Sequence, residues 1–389
     1  MRELIRQILR EALGVPEGST ESGEMLYNLI LERLKRLDAN LDNKKTFRIK
    51  TDIKISDYDV KKVILNIDIQ KLDYVPEIHF YSMGFKQMSR YATTGKPRLI
   101  TILTPDTIDV SINFAGPKDS TRKDLIKYFK EDKIEITSSL SHELGHAYNI
   151  YKKPSASIKT QSEYNAYQNV SFPFRAINDF IFNLYYIHSV ENIVRPIEVA
   201  SRMRSEDIGR EGFYEFITNN KTYTKLKEIN NFSYQRMREE LMNDIDSIKV
   251  FFKRRLNIDI DDFETDDEII DELLRIVYVN LVNQKIDIAR RMMTTSGFED
   301  LMGFIGNKQD FFDKIATGFI KYESRPLDFF KDEEKRFKMI SEKMMKKISK
   351  LFAMAKVDKS SIKDWELHHK INKTGEQLET EIKYKRRIR

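Results

Sequence analysis

The sequence predicts an α+β fold: a small mixed or antiparallel sheet, a helix bearing His-Glu-x-x-His, and then a mostly helical C-terminal half. Three observations carry that expectation. The period of the apolar residues changes from about 3.6 to 2 at Thr46, the alternation recurs up to Gly116, and beyond Gly116 strand patterns nearly vanish.

Taken in order, Leu4, Ile5, Ile8, Leu9 and Ala12 form one face of a short amphipathic helix that ends at Gly14-Val15-Pro16-Glu17-Gly18. A second helix follows, with Leu26, Leu29, Ile30, Leu34 and Leu37 at helical spacing. Phe47, Ile49, Ile53 and Ile55 then alternate with polar residues, as do Val63, Leu65, Ile67 and Ile69. Ile78-His79-Phe80-Tyr81 and Leu99-Ile100-Thr101-Ile102-Leu103 are further strand candidates, and Ile108, Val110, Ile112 and Phe114 alternate up to Ala115-Gly116-Pro117. Thr121-Arg122-Lys123-Asp124 reads as a capping box. The clearest long helix has Phe337, Ile340, Met344, Ile348, Leu351 and Ala355 three or four apart. The resulting partition is N-terminal helices over 1–40, a core carrying the sheet and the motif over 45–205, and a helical domain over 206–389 ending in a basic tail.

The 389 residues contain 67 Lys and Arg, 61 Asp and Glu, 6 His and no Cys, for a formal charge of +6. Without cysteine there is no disulfide scaffold, thiol nucleophile, Cys-based zinc finger or iron–sulfur site, so any metal must be held by His and carboxylate. Met1-Arg2-Glu3-Leu4-Ile5-Arg6 places charges where a secretory signal needs an apolar run, and no apolar stretch reaches membrane-spanning length. The expectation is a soluble, cytoplasmic protein with no membrane partner. A charge of +6 spread over the chain is a weak field. The basic run Lys383-Tyr384-Lys385-Arg386-Arg387-Ile388-Arg389 reads as a solvated tail, which argues against a nucleic-acid partner.

Ser141-His142-Glu143-Leu144-Gly145-His146-Ala147-Tyr148 carries the chemistry. On a helix His142 and His146 are one turn apart, so both imidazoles can reach one ion. Ile136, Leu140, Leu144, Ala147 and Tyr151 fall on the opposite side, which predicts a buried back and two histidines facing a cleft. Glu143 stands beside such an ion, where a carboxylate can take a proton from water. Neutral imidazole pairs suit Zn²⁺. The plainer alternative is two surface histidines on an amphipathic helix.

At these residues the chain resembles the zincin metallopeptidases, which carry His-Glu-x-x-His on an active-site helix beside a small twisted sheet. The resemblance implies a zinc-dependent peptidase with a protein or peptide substrate, His142 and His146 as ligands, and Glu143 as general base and acid. It also implies that Asp106–Phe114 is an edge strand against which an extended substrate lies. No third His follows at the short spacing of metzincins, so the third ligand is expected from a later carboxylate, as in gluzincin-like enzymes. Glu191 heads Glu-x-x-Val-Arg, similar to segments of phage and toxin zincins, and Glu198 follows Pro196 in a Pro-x-Glu-x-x-small pattern. Glu191, Glu198 and then Glu163 are the candidates, and the carboxylate that does not ligate is expected to orient a ligand histidine or to be solvated. Pro196 can break the helix between the first two.

His188 and Tyr148 are candidate donors to an oxyanion, with ordinary packing as the competing role. His79 reads as structural and His368-His369 near Trp365 as a surface pair. The Lys-, Ile-, Asn- and Tyr-rich style is similar to metallopeptidases of large tailed phages. That likeness implies host-cytoplasmic or virion-associated location, phage structural proteins as partners, and a rival reading as an assembly protein that keeps the metal site with little or no catalysis.

Overall fold

The computed structural model describes residues 19–36, 46–51, 62–72, 76, 78–87, 107–152, 163–294 and 321–355. The amphipathic segment at 4–12, the strand candidates at Ile53, Ile55 and 99–103, the pair His368-His369 and the basic tail lie outside these residues.

Helix α1 (Ser19–Lys35) precedes four strands, β1 (Thr46–Thr51), β2 (Lys62–Lys71), β3 (His79–Gln87) and β4 (Thr107–Gly116). They pair in the order β1-β2-β4-β3. β1 is antiparallel to β2, β2 is parallel to β4 with Val63 opposite Ile108, and β3 is antiparallel to β4 with a register shift between Phe80 and Ser82. Helices α2 (Arg122–Glu131) and α3 (Lys133–Lys152) follow, then α4 (163–169), α5 (Arg175–Tyr186), α6 (Glu191–Ser205), α7 (Phe213–Asn219) and α8 (Lys221–Asn230). The remainder is α9 (Tyr234–Asn243), α10 (Ile245–Phe251) running into a π-helical turn at Phe252–Leu256, α11 (Asp266–Thr294) and α12 (Pro326–Ser349).

The fold class is corrected accordingly. The described residues are predominantly helical, and the chain is not the α+β protein with a sheet-built half that the alternating segments suggest. The reason lies in the segments themselves: the strands are six to ten residues long, whereas helices of up to 29 residues carry the chain. A second correction concerns Asp106–Phe114. β4 is hydrogen-bonded on both sides, by β2 and by β3, so it is an interior strand; the outer strands among the described residues are β1 and β3. The strand along which α3 packs is β3.

The chain forms two compact units that interleave in sequence, whereas the sequence reading divides it linearly. One comprises 1–154, 193–224 and 344–389, and the other 155–192 and 225–343. In the first, α1 packs on α3 and α2 through Leu26, Tyr27, Ile30 and Leu34, all buried. Ile112 and Phe114 share one face of β4 and are fully buried. Phe114 meets Phe129 of α2 at 5.3 Å between ring centroids, Phe129 stacks on Tyr27 of α1 at 6.3 Å, and the Tyr27 hydroxyl donates to the Phe129 carbonyl at 2.7 Å. α2 starts with the expected capping box: the Thr121 hydroxyl accepts from Asp124 N–H at 3.4 Å, and Thr121 N–H donates to the Asp124 carboxylate at 2.9 Å.

The second unit is built on aromatic rings. Phe180 of α5 meets Phe330 at 4.9 Å and Phe337 at 5.6 Å on α12, Phe337 meets Phe232 at 5.1 Å, and Tyr278 of α11 meets Phe329 at 5.4 Å. Outside this core Arg238 of α9 bridges to Asp267, at 2.7 Å, and to Asp271, both on α11.

Phe114→Ala is expected to cost about 3–5 kcal/mol, because it empties the contact joining β4 to α2. Leu29→Ala, at a position 38% exposed, is expected to stay within about 0.5 kcal/mol of the parent. Urea unfolding of the two variants checks both, and equal losses would contradict the assignment of Phe114 to the core.

Candidate metal centre

Helix α3 carries the motif, and its surroundings differ from the expected buried back and open front. Ile136, Leu140 and Leu144 are fully buried, but so is Ser141, and His142, Glu143 and His146 are 7%, 8% and 7% exposed. Two helices explain the burial, α1 on the side of Ser141 and α6 on the side of Gly145. A Cβ on Gly145 would come within 2.8 Å of Ile197 Cδ1 and 2.9 Å of Val194 Cγ1, so α6 crosses α3 where a side chain has been omitted. The helices are antiparallel there. Ser141 pairs with Ser201, His142 with Glu198, and Gly145 with Ile197 and Val194, so the partner number falls as the α3 number rises.

The two imidazoles face each other with Nε2 atoms 3.0 Å apart and rings nearly perpendicular at 80°. Glu143 completes a group whose ligand-capable atoms lie within 4.8 Å of one another. In a tetrahedral zinc site with Zn–N near 2.0–2.1 Å, two nitrogens stand about 3.3 Å apart. The pair therefore fits one edge of such a site, and the donors are the nitrogen and oxygen types that a divalent ion of this class takes.

Glu198 lies against the other nitrogen of His142. Its Oε2 is 3.2 Å from Nδ1 and also accepts from Arg195 Nη1 at 2.9 Å, while its Oε1 accepts from the Thr222 hydroxyl at 3.4 Å. Burial by itself raises this carboxyl, but the neighbouring Arg195 and His142 outweigh it and hold Glu198 at about 2. An ionised Glu198 can only accept, so Nδ1 of a neutral His142 carries the proton and its Nε2 presents a lone pair toward His146. Thr222 is placed by Asn220, whose Oδ1 accepts from the N–H groups of Thr222 and Tyr223 at 3.0 and 3.3 Å and so caps α8. Pro196 does not interrupt α6, which absorbs the loss of one backbone donor and runs from Glu191 to Ser205.

Of the residues singled out in the sequence, His142, Glu143, His146 and Glu198 are thus brought together in the first unit. Tyr148 lies in α3, but its side chain is outside the described residues. Arg195, Thr222 and Ser201 were missed as contributors. Arg195 had a signal, since it sits three residues before Glu198 on one helix face; Thr222 had none.

Glu191, His188 and Glu163 belong to the second unit. Fully buried Glu191 accepts from the Tyr164 hydroxyl at 2.8 Å. Glu163 accepts from Tyr167 at 2.9 Å and from the buried Lys285 at 3.1 Å. Burial alone raises its carboxyl, but Lys285, His188 and Tyr167 together bring it down to about 2. The His188 ring lies 5.7 Å from that of Tyr164 and 6.1 Å from that of Tyr167. Burial dominates there and lowers its imidazole to about 4, against the pull of Glu163 and Glu191, so it is neutral at pH 7.

A histidine with a depressed folded value binds its proton first in the unfolded chain. Stability of this unit is therefore expected to fall as pH drops from the ordinary value of about 6.5 toward 4, by up to roughly 3 kcal/mol for this group. The depressed Glu163 acts lower, its contribution being present above about 4.5 and lost as pH falls through 2. Urea titrations at pH 7, 5.5 and 4.5 should show the slope in the parent and a flatter one in His188→Gln. An unchanged slope in the variant would exclude His188 as its source.

No family model, curated protein or solved structure matches the chain.

Proposed function

We propose that the chain is a zinc-dependent hydrolase of peptide bonds, with His142 and His146 as ligands through Nε2 and Glu143 as the proton-transfer group. The observation that carries this reading is the pair of Nε2 atoms 3.0 Å apart with Glu143 in the same group. A bound Zn²⁺ would supply Lewis-acid polarisation and lower the pKa of water. The residues of the chain do the rest. Glu143 accepts the proton of the attacking water and returns it to the leaving nitrogen. Glu198, held by Arg195 and Thr222, keeps the proton of His142 on Nδ1 and so keeps Nε2 available. The assignment uses Glu198 as the orienting carboxylate; Glu191, the other candidate, accepts from the Tyr164 hydroxyl.

A second reading, a phage structural or assembly protein that holds the ion without catalysis, is favoured by the small exposure of the three motif side chains, 7–8% each. One set of measurements separates the two. Purified protein is expected to contain about one zinc per chain, and His142→Ala and His146→Ala to lose it. Glu143→Gln is expected to keep the metal and lose hydrolysis of a peptide library by about 10²–10⁴-fold. Zinc retained with no hydrolysis in the parent favours the assembly role, and a folded, metal-free parent overturns both readings.

A further inference from the structure

Helix α1 is not required by the chemistry above, yet it touches the motif helix one residue before His142. A Cβ on Gly23 would overlap Ser141 Oγ and stand 3.0 Å from both Ser141 N and Thr137 O. The deepest overlap is with the Ser141 hydroxyl, while the two backbone atoms are only tight, so α1 and α3 meet closely where Gly23 omits a side chain. Ser141 is fully buried, and its Oγ is 3.0 Å from Ser201 Oγ on α6. Ser201 follows Glu198 by three residues and shares its helix face. Gly23, Ser141 and Ser201 therefore join α1, α3 and α6 at one point, adjacent in sequence to His142 and one turn from Glu198.

The contact this point supports has little slack. His142 Nδ1 and Glu198 Oε2 are 3.2 Å apart, at the outer end of the range for an N–H···O bond, so a few tenths of an ångström between α3 and α6 weakens it steeply. We propose that Gly23 is a positioning residue for the metal centre: by letting α1 seat against Ser141, it sets the spacing at which Glu198 orients the His142 imidazole. The inference rests on the reading of His142 and His146 as ligands.

The test uses the full chain and reads metal affinity by competition with a chromogenic chelator, together with the visible absorption of the Co²⁺-substituted protein. Gly23→Ala is expected to weaken zinc binding about 10–100-fold and to shift the Co²⁺ bands, with the helical circular dichroism unchanged. In a Ser141→Ala background the same change is expected to cost less than about threefold, because the overlapping hydroxyl is gone. Ser201→Ala, which adds no bulk, should weaken binding in the same direction and serves if Gly23→Ala does not fold. Parent-like affinity and Co²⁺ bands in a folded Gly23→Ala or in Ser201→Ala overturn the proposal and leave the metal reading standing. A parent that binds neither ion overturns the metal reading, and this inference with it.

Discussion

The close crossing of α3 and α6 at Gly145 is the constraint on which the site depends. Val194 and Ile197 occupy the space a side chain would take, and only at that separation do Ser141 and Ser201, and then His142 and Glu198, come within hydrogen-bonding reach. A larger residue at 145 would leave each half of the site intact on its own helix and the two halves apart. The histidine pair itself is a matter of helical spacing. Its tautomer is a matter of packing between helices, because the carboxylate that selects it comes from the other one.

The two units treat buried charge in different ways. In the first, Glu198 is ionised and its oxygens are shared among Arg195, His142 and Thr222. In the second, Glu163 is balanced by Lys285, and Arg336 grips both oxygens of Glu333 at 3.0 and 3.1 Å, while His188 is kept neutral by burial among tyrosines. Partly buried pairs of this kind add little net stability relative to apolar packing, but losing one partner is expensive, so they specify an arrangement more than they strengthen it. The aromatic cluster around Phe180 packs the core of the second unit.

What could be read from the sequence follows from the range of each interaction. The capping box at Thr121, the one-turn spacing of His142 and His146, and the face made by Phe337, Met344, Ile348 and Leu351 are all local, and local spacing is written in the chain. The balance of helix and strand was misjudged because alternation marks where strands lie, not what share of the fold they make up. The place of β4 in its sheet was misjudged because periodicity is silent about which neighbours a strand acquires. Glu198 was legible as a candidate and its partner nitrogen was not, since that depends on how α6 seats on α3. Thr222 reaches Glu198 only through the capped start of α8, a contact between separate helices that no pattern in the sequence announces.

The interleaving of the two units also separates the local contacts of the group from its non-local one. His142 and His146 need only one turn of helix to converge, whereas Glu198 lies 56 residues beyond His142, and the intervening stretch 155–192 belongs to the other unit. Closing a loop of that length costs entropy that a single helical turn does not, so the Glu198 contact is the non-local part of the group. The imidazole pair is set by one turn of α3, whereas the contact to Glu198 exists only where α6 docks on α3.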